Sequence, residues 1–83
     1  NESRGTKHDA EQIRQAIAQR LPAATIEVRA EAPGHFAISV TDAIFGGLSR
    51  VAQQQRVYGA IAELMAGPNP PVHAIDRLEC RVP

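Results

Sequence analysis

The chain has 83 residues, 43% of them hydrophobic, with nine basic and nine acidic side chains and so no formal net charge. That length allows one domain, which buries only roughly 60–65% of the surface its unfolded chain exposes and leaves little interior for a deep substrate pocket. The charge balance counts against a dedicated nucleic-acid binder, because phosphate neutralisation by basic side chains supplies most of such affinity.

Asn1 to His8 is polar, contains Gly5 and has no large apolar anchor, so 1–8 reads as a flexible tail ahead of a domain over 9–83. Asp9 looks like an N-cap, with Gln12 three residues on. Ala10, Ile13, Ala16, Ile17 and Leu21 recur at helical spacing. Pro22 disfavours helical geometry at Leu21, so the first helix should end there.

Ile26, Val28 and Ala30 then alternate with polar neighbours, and Phe36, Ile38 and Val40 do the same. Both runs have the period of a half-buried strand. Glu31-Ala32-Pro33-Gly34 between them supplies Pro and Gly for a reversal, giving an antiparallel hairpin. Phe45 is the expected anchor of the next connector, and Ser49 the expected N-cap of a second helix. Val51, Val57, Tyr58, Ile61, Leu64 and Met65 form the apolar stripe of that helix. Gly59 weakens it, a cost usually tolerated for close packing against a sheet. Gly67 suits the helix end, and Pro68-Asn69-Pro70-Pro71 is a stiff linker.

A last strand spans about Val72 to Arg81. Val72, Ala74, Leu78, Cys80 and Val82 share the phase expected to face inward, with Asp76 as its odd member. His73, Ile75, Arg77, Glu79 and Arg81 share the outward phase. The fold class is α+β in the order α-β-β-α-β. A strand–helix–strand crossover makes its two strands parallel. The sheet should therefore be three-stranded and mixed, with both helices on one face.

The single cysteine, Cys80, allows no intrachain disulfide and fits a reducing compartment. No apolar run approaches the ~20 residues needed to span a bilayer. The expected location is the cytoplasm. No nucleophile–base set, phosphate loop or metalloprotease helix is recognisable. Asp42, Glu63, Asp76 and Glu79 are scattered without acid–base spacing, so no enzyme is expected.

Three features can carry function. His73 ends the helix–strand linker on the outward phase, where it is either a surface histidine or a metal ligand that a partner can reach. His35 opens the second strand, where it either packs beside Phe36 or supplies a ligand. Arg50-Val51-Ala52-Gln53-Gln54-Gln55-Arg56-Val57-Tyr58 is either a solvated helix face or a polar surface for a partner or a nucleic acid. Cys80 is on the inward phase, where a free cysteine usually behaves as a small hydrophobe. Without a Cys-x-x-Cys, the chain cannot hold an iron–sulfur cluster alone through thiolates.

Phe45-Gly46-Gly47, followed by Arg56-Val57-Tyr58 and then Val72-His73-Ala74-Ile75, resembles the BolA family. These small proteins are associated with iron–sulfur cluster handling and transcriptional control. Gly34-His35-Phe36 also matches, and Gln53-Gln54-Gln55 before Val57-Tyr58-Gly59 is similar to the bacterial IbaG (YrbA) branch. The resemblance implies a class II KH-like fold. It implies an adaptor in cluster trafficking or iron homeostasis, forming a heterodimer with a monothiol glutaredoxin. His73 would be a ligand of a [2Fe–2S] cluster shared with that glutaredoxin and with glutathione. The isolated chain, monomer or weak homodimer, would carry no cofactor. Many family members have a further His or Cys in a longer loop between the first two strands; here Glu31 to Gly34 is short and has neither. His35, the partner or a solvent molecule would take that place. The alternative is a stress-responsive DNA-binding regulator contacting DNA through Arg50 and Arg56, although the Gly-x-x-Gly loop of KH domains is absent.

Overall fold

A computed structural model describes residues 2–68 and 70–83, with side chains from Lys7 onward. Helix α1 spans Glu2–Arg20, strand β1 Thr25–Ala32 and strand β2 His35–Thr41. A short 3-10 turn, Ala43–Phe45, leads to helix α2, Arg50–Met65, and strand β3, Ala74–Arg81, closes the chain. The sheet order is β1-β2-β3, with β1 antiparallel and β3 parallel to the central β2. The α-β-β-α-β order and the mixed sheet are those expected from the sequence.

The helical spacing of α1 carries Ile13, Ile17 and Leu21 to one face, all buried. Val57 and Ile61 do the same for α2. They meet Phe36, Ile38 and Val40, the inward set of β2, and Phe45 and Val72 complete the cluster. Each fully buried side chain of this kind contributes about 1.5–3 kcal/mol. Helix α1 lies against β1, and α2 against α1 and β3. The opposite face of the sheet is polar, with Glu27, Ser39 and Glu79 in one row across the three strands.

Helix α1 starts earlier than the sequence pattern suggests. Its backbone is helical from Glu2, so Asp9 lies inside the helix and caps nothing, and 2–8 continue the helix instead of forming a tail. Glu, Arg and Lys in this stretch are good helix formers, and Gly5 alone costs about 1 kcal/mol. Asn1, of the expected tail, and Asn69, of the expected linker, lie outside the described residues.

Helix α2 begins as expected: the Ser49 hydroxyl accepts from the Ala52 N–H at 3.1 Å. Its apolar stripe is narrower than expected. Val51 and Tyr58 are exposed, at 62% and 38%. Gly59 is exposed too, and a Cβ built there meets nothing within 4 Å. Close packing does not explain that glycine. Gly59→Ala should therefore stabilise the protein by about 1 kcal/mol through helix propensity. In a domain this small that raises the melting temperature by about 4–8 °C, which calorimetry would read. An unchanged or lower value would show that α2 needs a glycine there.

Candidate functional site

The chain reverses between β1 and β2 through Pro33-Gly34. Gly34 has φ +79°, the left-handed region that favours glycine, and Pro suits the preceding position of such a turn. A bulge leaves Glu31 unpaired, so that Ala30 faces Phe36 while Ala32 faces His35. His35 thus opens β2 at the edge of the turn, half-exposed.

The linker after α2 returns to this same turn. The Val72 N–H donates to the Leu64 carbonyl at 3.3 Å. The next two N–H groups, of His73 and Ala74, both donate to the Gly34 carbonyl, at 2.8 and 3.0 Å. His73 is exposed. Its ring lies directly on Gly34: a Cβ added to that glycine would sit 2.2 Å from His73 Cδ2. Ala74 then pairs with His35. Backbone pairing therefore brings His35 and His73, 38 residues apart in sequence, to one corner of the sheet.

Strand β3 carries a bulge of its own. Phe36 pairs with Ile75, but Ala37 pairs with Arg77, so Asp76 is an extra residue. The bulge reverses the phase of the strand. Ile75 packs on the core, as do Leu78 and Cys80. Ala74, expected inward, pairs instead with His35 on the outward side of β2. Asp76 is exposed, with Oδ1 3.1 Å from His35 Nδ1.

Among the described residues, no group of three or more His, Cys, Asp or Glu is placed to hold a metal ion. Cys80 pairs with Val40, six residues along β3 from Ala74. At roughly 3.3 Å per residue it lies about 20 Å from the histidine corner. Burial pushes its thiol above the ordinary value of 9.0. The fold thus favours the neutral thiol, and any stability from that preference is lost only as the pH rises through the raised value. Alkylation of Cys80 by iodoacetamide should be slower at neutral pH in the folded protein than in the urea-unfolded chain. Its rate should still be climbing with pH where that of the unfolded chain has levelled off, because burial raises the pH at which the thiolate forms. Equal folded and unfolded rates would mean that the thiol is open to solvent.

Arg50 and Arg56 are both exposed. They are six positions apart along the helix, which places them about 120° apart around the axis. Arg50 borders a groove of about 290 Å³ against β3, with Gln53, Gln54 and Arg81. The two arginines therefore do not form one stripe. Gln53 is not a solvated side chain: its Nε2 donates to the carbonyls of Phe45 at 2.9 Å and Leu48 at 3.2 Å. It fastens the 3-10 turn to α2. On the open sheet face, a hydrogen bond from Arg81 holds the Glu79 carboxyl below the usual carboxylate range.

A family model for BolA-like proteins matches residues 7–81. The chain belongs to the BolA family. BolA1 from Arabidopsis thaliana superposes on it with a TM-score of 0.73 at 18% identity, over 90% of this chain and 92% of that one. BolA1 from Mus musculus gives 0.70 at 27% identity, over 90% and 65%. The XC975 protein gives 0.61 at 36% identity, over 90% and 89%. No curated protein matches. In this BolA-family chain no helix among the described residues is long and apolar enough to cross a membrane. Sequence reasoning singled out His35 and His73 but not their partners. In the sequence Gly34 stands out as a turn residue and as part of the Gly34-His35-Phe36 match, and Asp76 as a scattered carboxylate and a misfit in an apolar phase. That misfit was the visible signal of the bulge.

Proposed function

We propose that this BolA-family protein is a non-enzymatic adaptor in cytoplasmic iron–sulfur cluster trafficking or iron homeostasis. In this reading it docks on a monothiol glutaredoxin and shares a [2Fe–2S] cluster with it and with glutathione. The observation that carries the reading is the placement of His73. Its imidazole is exposed and rests on a glycine at an outward corner of the sheet, within reach of a partner. The donor set fits a shared group and not a resident one. The corner offers imidazole nitrogens, which can replace thiolates on one iron of a [2Fe–2S] centre. It offers no thiolate, since Cys80 packs on the core at the far end of β3. The remaining ligands would come from the partner.

The test is co-expression with a monothiol glutaredoxin from the same cell, followed by anaerobic reconstitution with iron, sulfide and glutathione. Visible circular dichroism is then compared for wild type and His73→Ala. A heterodimer whose spectrum changes on loss of His73 supports the reading. Spectra identical to that of the glutaredoxin homodimer in both cases would end it. Salt-dependent DNA binding, weakened in Arg50→Ala and Arg56→Ala, would then be the next measurement.

A further inference from the structure

We propose that Asp76 positions His35 as a second imidazole donor beside His73, a role that rests on the cluster-sharing reading above. His35 Nδ1 stands 3.1 Å from Asp76 Oδ1 on the neighbouring strand. An ionised carboxylate can only accept, so in the neutral imidazole Nδ1 carries the proton and donates it. Nε2 then holds the free lone pair. Metal-binding histidines are commonly arranged this way: the nitrogen away from the metal donates to a carboxylate, which fixes the tautomer and the ring orientation.

The fold builds this pair with an irregularity. Asp76 is the one residue by which β3 outruns β2 between Phe36 and Ala37. Bulges re-aim side chains. The pair is not there for stability, because both side chains are nearly half exposed and such surface pairs contribute little. Gly34 stands between the two histidines: it precedes His35 in the chain and carries the His73 ring on its Cα. The chain can therefore present two nitrogens to a partner that brings thiolates. The short turn between β1 and β2 needs no further His or Cys.

Two measurements on the full chain test the role. In the free protein, long-range proton–nitrogen NMR would report the His35 tautomer. Wild type should show the Nδ1–H form and Asp76→Ala should lose it. Asp76→Asn should largely keep it, because the amide oxygen can still accept. In the reduced heterodimer, pulsed EPR would count the nitrogens coupled to the cluster. Wild type should show two, and His35→Ala and His73→Ala one each. Asp76→Ala should change the His35 coupling and leave that of His73. A tautomer indifferent to Asp76→Ala overturns the role, and so does a cluster whose nitrogen couplings ignore His35→Ala. If wild type forms no cluster with the glutaredoxin, the cluster-sharing reading and this role fall together. A cluster ligated by His73 alone overturns only the role of His35 and Asp76.

Discussion

Gly34→Ala should lower stability by about 1–2 kcal/mol and displace the His73 ring. Two separable causes act at this position. The first is the backbone: at φ +79° an L-residue bears a steric cost of about 1–2 kcal/mol that glycine avoids. The second is the ring of His73, whose Cδ2 and Cγ would lie 2.2 and 3.0 Å from the new Cβ. No real contact survives at the shorter distance, so something must move. His73 is exposed and its ring can swing into solvent, whereas its backbone is held by the bond to the Gly34 carbonyl. The clash therefore costs geometry more than stability. Gly34→Asn separates the two, because asparagine tolerates the left-handed region better than alanine while keeping the Cβ. It should recover part of the lost stability but leave the ring displaced. Thermal unfolding measures the first effect. Contacts from the His73 ring protons to residue 34, by nuclear Overhauser spectroscopy, measure the second. A ring that keeps its place in both variants would show that Gly34 does not set the orientation of His73.

The order of elements was legible because each depends on local pattern. Period-two runs flank Pro33-Gly34, period-3.6 stripes centre on Ile13-Ile17 and Val57-Ile61, and Ser49 caps α2. The parallel pairing of β2 and β3 followed from the crossover alone. What failed was any inference that carried a period across an irregularity. A single extra residue at Asp76 moved Ile75 inward and Ala74 outward. Strand periodicity cannot survive an insertion of one. The exposure of His73 did not depend on that phase, since it precedes β3 and lies on the turn. Val51 and Tyr58 looked like core because their spacing is helical, but α2 rests on its neighbours along a narrower face. The bond from Gln53 to the Phe45 carbonyl joins residues in different elements, and no local pattern announces it. The same holds for the His35–Asp76 pair, whose members are 41 residues apart.

Phe36→Ala should be the most damaging single change in the core, costing about 3–5 kcal/mol. The ring is fully buried at the start of the central strand, where its backbone faces Ala30 on one side and Ile75 on the other. It belongs to the cluster that joins both helices to the sheet, so its loss leaves a cavity that no single element can close. Small domains hold only about 5–15 kcal/mol in total, and one of this size sits toward the lower end. The variant should therefore unfold at a much lower urea concentration with an unchanged denaturant slope. Tyr58→Ala is the internal control: the residue is aromatic too, but it is exposed on α2 and should cost no more than about 0.5 kcal/mol. Comparable losses from the two would contradict the packing described. The consequence reaches the histidine corner, because Phe36 follows His35 directly and pairs with the residue before the Asp76 bulge. A core that loosens at Phe36 loosens the two strands from which His35 and Asp76 approach each other. A chain that stays folded with alanine at this position should accordingly lose the His35–Asp76 hydrogen bond before it loses the sheet.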